Sequence, residues 1–64
     1  MQVQALKGII MARGMTQKEV AHHLGVTPKT FGLKLKRGVF GSDEIDKMIK
    51  LLEISDPMSI FFNK

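Results

Sequence analysis

The stretch TQKEVAHHLGVTPKTFGLKLKR, residues 16–37, decides the fold of this 64-residue chain. Thr16 is a favoured helix cap, and Glu19 lies three positions later, where its carboxylate can hydrogen-bond to the Thr16 amide. Thr27 repeats the cap, and the proline after it suits the first position of a second helix. Between the two segments, Gly25 can adopt the left-handed conformation that ends a helix. The stretch therefore predicts two short helices joined by a glycine turn.

Each predicted helix has an apolar face that can pack against the other. Val20, Ala21 and Leu24 form this face on the first helix, and Phe31 and Leu35 form it on the second. Burying a large apolar side chain contributes about 1.5–3 kcal/mol. Loss of either large side chain on the second helix is therefore expected to unfold so small a domain.

The outer face of the second helix is basic. It carries Lys29, Lys36 and Arg37, with Leu33 beside them. A basic helix surface is often only a solvated surface, but here a capped helix and a glycine turn precede it. This arrangement is typical of a helix-turn-helix, whose second helix lies in the major groove of DNA.

The remaining segments predict three further helices and no strands. Apolar residues at helical spacing over residues 3–10 indicate a first helix that ends near Arg13-Gly14. Ser42 is expected to cap a fourth helix, whose buried face repeats over residues 45–52. Asp56-Pro57 starts a short last helix. The sequence thus predicts an all-α fold of five helices that forms one domain over residues 1–64.

Composition and charge indicate the cellular compartment and the kind of partner that the protein binds. The chain has no cysteine, which favours a reducing cytoplasm, and no apolar run long enough to span a membrane. Its 10 Lys and Arg side chains outnumber 6 Asp and Glu, for a formal charge of +4. Residues 1–40 hold seven basic side chains and one acidic, whereas residues 41–64 hold three basic and five acidic. The positive field therefore belongs to the part that contains the predicted DNA-binding helices.

Residues 16–37 also resemble the helix-turn-helix of the XRE or Cro/CI family, which includes lambdoid phage repressors and Cro proteins. The matching residues are Gln17, Ala21, Gly25, Phe31 and Leu35. The resemblance implies a compact five-helix, lambda-repressor-like DNA-binding domain that covers nearly the whole chain. It further implies a transcriptional regulator of phage or prophage type, most simply a repressor, that acts at the nucleoid in the cytoplasm of a bacterial cell.

The candidate DNA-binding residues divide into base-reading and phosphate-binding positions. The resemblance implies base contacts at the positions of Pro28, Lys29, Gly32 and Leu33. Among them, Lys29 is the leading candidate to donate to guanine, and Leu33 can pack on a thymine methyl group. The residues expected to bind phosphates are Gln17, Lys18, Thr27, Lys34, Lys36 and Arg37, while Thr30 can reach either base or backbone.

Two of these positions depart from the family pattern. Pro28 and Gly32 replace the long polar side chains often found there, so DNA shape is expected to contribute to discrimination. Gly32 also weakens the helix by about 0.5–1 kcal/mol relative to alanine. This glycine either lets the helix backbone approach the groove floor or is a tolerated defect, and the sequence leaves both interpretations open.

No motif indicates catalysis, a metal or a cofactor. His22 and His23 are adjacent on a helix, so they point in different directions and cannot grip a metal ion from one face. The serines lack a nucleophile motif, and the acidic residues at 43–46 suit the start of a helix. We therefore expect a binding protein rather than an enzyme, without metal or cofactor.

The expected partners are double-stranded DNA and a second copy of the chain. Small DNA-binding domains usually dimerise on pseudo-palindromic operators, and the fourth helix and the C-terminal residues 60–62 are the expected dimer contact. Alternatively, both C-terminal phenylalanines close the core of one subunit. Three functions stay open: a sequence-specific transcriptional regulator, a protein-binding modulator of another repressor (anti-repressor or antitoxin-like) with the same fold, or a non-specific architectural DNA binder.

Overall fold

Five α-helices make up the part of the chain that the computed structural model describes, residues 1–62. They are α1 (Val3–Ala12), α2 (Gln17–Leu24), α3 (Pro28–Arg37), α4 (Ser42–Leu51) and α5 (Pro57–Phe61). No β-strand occurs in this part of the chain, so the predicted all-α class is confirmed. The last two residues of the predicted domain, Asn63 and Lys64, lie outside the described residues. None of the helices within residues 1–62 has the length and apolar character needed to cross a bilayer.

The predicted caps of α2 and α3 are confirmed. Thr16 Oγ1 accepts a hydrogen bond from the Glu19 amide at 3.1 Å, and Glu19 Oε1 accepts one from the Thr16 amide at 2.9 Å. Thr27 Oγ1 accepts from the Thr30 amide at 3.1 Å at the start of α3. Gly25 ends α2 with φ 76°, a left-handed conformation that favours glycine. The two helices therefore begin and end where the local sequence predicts.

The predicted cap of α4 is wrong by one residue. Gly41, not Ser42, precedes the helix, and Ser42 is its first helical residue. Glu44 Oε1 accepts a hydrogen bond from the Gly41 amide at 2.8 Å. A Cβ at residue 41 would come within 3.3 Å of this oxygen, which a glycine avoids. The carboxylate therefore satisfies the amide of the residue that precedes the helix, and no side chain of Gly41 caps the amides of the first turn.

The core lies where the five helices meet. Its largest fully buried side chain is Phe31, which is 0% exposed and packs with Phe40 at a ring-centroid distance of 5.5 Å. Met48 and Leu52 bury the inner face of α4, whereas Ile45 and Ile49 are only half-buried. The buried apolar residues are Leu6, Ile10, Val20, Ala21, Leu24, Phe31, Leu35, Phe40, Met48, Leu52, Ile54 and Phe61.

Arg13 fixes the end of α4. Its Nε donates to the Leu52 carbonyl oxygen at 2.7 Å, and its Nη2 donates to the Glu53 carbonyl oxygen at 3.2 Å. Carbonyls in the last turn of a helix have no partner within the helix, and a cation there also complements the helix dipole. The contact joins residues that are 39 positions apart. The sequence predicts only that α1 ends near Arg13, and the structure adds this long-range contact.

Four helices end in one backbone motif, in which a residue at positive φ is followed by an amide that donates to a carbonyl five residues earlier. These amides belong to Met15, Val26, Val39 and Ile54, with distances of 3.0–3.1 Å. The residue at positive φ is a glycine at positions 14, 25 and 38. After α4 it is Glu53, with φ 51°. Of these four residues at positive φ, Glu53 is therefore the one whose backbone conformation is strained.

We expect Glu53→Gly to raise the free energy of unfolding by about 1 kcal/mol, because the left-handed conformation costs a residue with a Cβ about 1–2 kcal/mol. The greater freedom of glycine in the unfolded chain offsets part of this gain. Glycine keeps the carbonyl that Arg13 binds. Urea unfolding followed by circular dichroism measures the effect. Glu53→Ala removes the same carboxylate but keeps the Cβ, so an equal gain for this control would contradict the backbone explanation.

Candidate nucleic-acid interface

Helix α3 lies on α2 through one face and is exposed on the other. Phe31 and Leu35, 0% and 2% exposed, are buried against the core. On the facing helix, Val20 and Ala21 are both 0% exposed, and the small alanine allows the helices to approach closely. The predicted inner face is confirmed, and the outer face of α3 is left open.

The exposed side of α3 carries three cations and one apolar side chain. We call Lys29, Leu33, Lys36 and Arg37 the basic face. At about 100° per residue, these four positions fall within about 100° of arc around the helix. All four side chains are exposed, and α3 contains no acidic residue. The arrangement is suited to an anionic partner that lies along the helix.

The other candidate contacts lie at the starts of α2 and α3. Gln17 and Lys18 are exposed at the positive end of α2, where an anion is favoured. Thr27 is exposed, and its hydroxyl donates to Thr30 Oγ1 at 2.9 Å. Thr30 is half-buried, and its hydroxyl oxygen accepts this hydrogen bond within the cap. Pro28 occupies the first position of α3, as predicted.

Lys34 was expected to bind a phosphate, but its amine has a partner within the chain. Lys34 Nζ lies 2.7 Å from Glu44 Oε2, at the start of α4. The two side chains are 35% and 14% exposed. By helical geometry, Lys34 is about 60° around α3 from Arg37, on the flank next to the core. Sequence reasoning missed this pair, although Glu44 at the third helical position was a signal for a capping carboxylate.

The charge state of Glu44 follows from these contacts. Burial raises the pKa of its carboxyl, but the hydrogen bonds from Lys34 and the Gly41 amide lower it, as do the charges of Lys34 and Lys47. The lowering effects prevail, so the pKa lies below its ordinary value of 4.5. Glu44 is therefore ionised at neutral pH, and both of its oxygens are occupied.

The pair makes stability depend on pH in a defined direction. Since the pKa of Glu44 is lower in the folded chain, its contribution is complete above the unfolded value and disappears as the pH falls through the folded value. We expect Glu44→Gln to lower the free energy of unfolding by about 1 kcal/mol at neutral pH. The difference from the wild type should shrink below about pH 4.5.

Urea unfolding of both proteins between acidic and neutral pH measures this effect. The matched control is Asp46→Asn, which removes a carboxylate whose partner Lys50 is 77% exposed, at 3.1 Å. Exposed pairs contribute little, so this control should follow the wild type. A difference between Glu44→Gln and the wild type that stays constant over the whole pH range would contradict the assignment.

Nothing within the described chain requires a glycine at position 32. A Cβ built at this position would meet nothing within 4 Å. Its φ is not in the left-handed region, because it lies within α3. Alanine would therefore fit the folded chain, and the two interpretations of this glycine now depend only on what contacts α3 from outside.

The C-terminal residues divide between core and surface. Phe61 is 7% exposed and closes the core, whereas Phe62 is 60% exposed. The amide of Gln2 donates to the Ile60 carbonyl at 2.8 Å and ties the start of the chain to α5. The large exposed apolar side chains of residues 1–62 are Met11, Leu33, Val39, Met58 and Phe62. The alternative in which both C-terminal phenylalanines close the core therefore holds for Phe61 but not for Phe62.

The two histidines lie outside the basic face. His22 and His23 are exposed in the last turn of α2, with ring centroids 6.2 Å apart and an interplanar angle of 74°. They line an open groove with Lys18 and Glu19. Within residues 1–62, no group of three or more His, Asp or Glu side chains comes together as a set of metal ligands.

Comparison with known proteins finds no matching family model, no matching curated protein and no matching solved structure.

Proposed function

We propose that this chain is a sequence-specific double-stranded DNA-binding protein and a transcriptional regulator, most simply a repressor. In this proposal, α2 and α3 form a helix-turn-helix, and α3 enters the major groove with its basic face toward the bases. A regulator of this kind acts on the nucleoid in the bacterial cytoplasm. The proposed base reader is Lys29, and the proposed phosphate contacts are Gln17, Lys18, Thr27, Lys36 and Arg37.

The observation that carries the proposal is the basic face itself. Three exposed cations and one exposed leucine share one side of a helix that has no acidic residue. The opposite side of the same helix is buried through Phe31 and Leu35. Because the helix is held by its inner face, its outer face can meet a duplex without rearrangement of the core. Exposed cations on such a helix can neutralise phosphates and donate to the base edges of a groove.

The start of α3 supports the same proposal. Lys29 is the second helical residue, and it is exposed one position after the proline. In helix-turn-helix proteins, the first turn of the second helix contacts the base edges. A lysine there can donate to guanine O6 or N7. Leu33 lies one turn further along the same face and offers an apolar contact for a thymine methyl group.

A homodimer completes the proposal. A single helix reads only a few base pairs, so a domain of this size gains specificity by binding two half-sites about one helical turn apart. Met58 and Phe62, 66% and 60% exposed, are four residues apart at the C-terminal end of the described chain and offer an apolar surface. With α4, this segment is the proposed dimer contact.

The exposed apolar side chains favour one second candidate, a protein-binding modulator of another repressor. Leu33 and Val39, 47% and 66% exposed, lie at α3 and just beyond its end. Apolar residues at this position suit a protein surface as well as a DNA groove. The two candidates differ in one respect: the modulator does not need the three cations of the basic face.

Selection from a random duplex pool at near-physiological salt tests the proposal. The purified protein is expected to retain duplexes that share a pseudo-palindrome, whose half-site spacing gives the geometry of the dimer. Recovery of DNA without a motif would favour an architectural binder. No retention would exclude both DNA-binding functions in their simple form and favour the protein-binding modulator.

A further inference from the structure

Lys34 differs from the other cations of α3 in its surroundings. Lys29, Lys36 and Arg37 are exposed, whereas Lys34 is half-buried and bound to Glu44 at 2.7 Å. The distance is that of a charge-assisted hydrogen bond. An amine in this contact has its positive charge compensated by a carboxylate of the same chain. Of the four cations on α3, Lys34 is therefore the one that is paired with a carboxylate within residues 1–62, while its side chain stays 35% exposed.

Glu44 occupies the position that an external anion would take. One oxygen accepts from the Gly41 amide at the start of α4, and the other accepts from Lys34. Lys47, one turn along the helix, adds a second positive charge nearby. An amide at a helix start and two cations are the groups that bind phosphates in proteins. Here a carboxylate of the chain fills this place.

We propose that Glu44 competes with the DNA backbone for Lys34 and thereby limits the affinity of the chain for DNA. The inference rests on the proposed function. Lys34 is one residue from Leu33 of the basic face and three from Arg37, so its flexible side chain reaches the edge of the same surface once it is released. Glu44 therefore sets how many phosphates α3 neutralises and how steeply binding depends on salt.

The experiment compares the wild type with Glu44→Gln, which keeps the oxygen that accepts from Gly41 but removes the charge. Binding of a fluorescent duplex is measured by anisotropy over a series of salt concentrations. Each additional phosphate contact steepens the dependence of log K on log salt by about 0.9, and a dimer gains one such contact from each subunit. We expect Glu44→Gln to bind about three- to tenfold more tightly at low salt and to show this steeper slope.

Two further variants separate this effect from a general change in charge. Lys34→Met in the Glu44→Gln background should remove both the gain in affinity and the added slope. Asp46→Asn raises the net charge by the same amount but releases only Lys50, which lies on α4 and is already 77% exposed. Its slope should equal that of the wild type.

The outcomes distinguish this inference from the proposed function. A wild type that binds DNA, together with a Glu44→Gln variant of equal or weaker affinity, overturns the inference alone. A gain that persists in the double variant, or that Asp46→Asn reproduces, also overturns it. Failure of the wild type to bind any duplex overturns the proposed function, and the inference with it. If Glu44→Gln is partly unfolded, the whole series is measured in the Glu53→Gly background, which changes the far end of α4.

Discussion

Replacing Phe31 by alanine is expected to lower the free energy of unfolding by about 3–5 kcal/mol at 25 °C. The side chain is 0% exposed, and it packs with Phe40 at a centroid distance of 5.5 Å. Truncating a buried phenylalanine to alanine costs about 3–5 kcal/mol, because it removes apolar burial and leaves a cavity. At about 0.05–0.15 kcal/mol per residue, a domain of this length has a total stability of roughly 3–10 kcal/mol. The loss is therefore comparable to the whole.

Urea and thermal unfolding followed by circular dichroism measure this loss. Leu33→Ala on the same helix is the matched control, since Leu33 is 47% exposed and alanine is a favourable helix residue. The control is expected to stay within about 0.5 kcal/mol of the wild type. Cooperative unfolding of Phe31→Ala with a cost below about 1.5 kcal/mol would show that the core does not depend on this side chain.

The burial of Phe31 and the limits of α2 and α3 could be predicted because their signals are local. A threonine cap, a carboxylate three residues later and a glycine at the helix end lie within one or two turns of the residues they bind. Thr16 and Thr27 therefore begin their helices in the structure as the sequence predicts. Apolar spacing likewise identifies the buried faces, because the helical period depends only on neighbours along the chain.

The features that could not be predicted join residues far apart in sequence. Arg13 binds carbonyls at the end of α4, 39 residues away, and no local pattern shows which helix end comes close to it. The pair of Lys34 and Glu44 depends on how the short segment between α3 and α4 folds back. Ser42 is a favoured cap by residue type, but the cap position lies one residue earlier, at Gly41, whose amide donates to Glu44.

For the candidate site, the sequence predicted the exposure of most side chains but not their contacts. Lys29, Lys36 and Arg37 are exposed as expected, because helical geometry places them opposite the buried face. Lys34 looked equivalent to them as a residue type, and only the fold shows that it is bound. The role of these residues in binding DNA remains a prediction.

Replacing Lys29 by alanine is expected to weaken binding to the preferred duplex by about 1–3 kcal/mol and to relax the preference at one base pair. The reason is that a lysine in the first turn of α3 is proposed to donate to the edge of a single base. Without this lysine, the protein no longer distinguishes that base from the others. Repeating the duplex selection with the variant shows whether the loss of information is confined to one position in each half-site. Anisotropy on the selected duplex gives the size of the effect.

The comparison that decides the role of Lys29 is with Lys36→Ala, which removes the same charge from the same basic face. A lysine that binds only a phosphate contributes equally to all sequences, so Lys36→Ala should weaken binding uniformly and reduce the salt slope by about one for each subunit bound. A uniform loss for Lys29→Ala as well would assign Lys29 to the backbone and favour an architectural binder. Little change in both variants would show that the basic face is not the binding surface, and the exposed apolar residues Leu33 and Val39 would then indicate a protein partner.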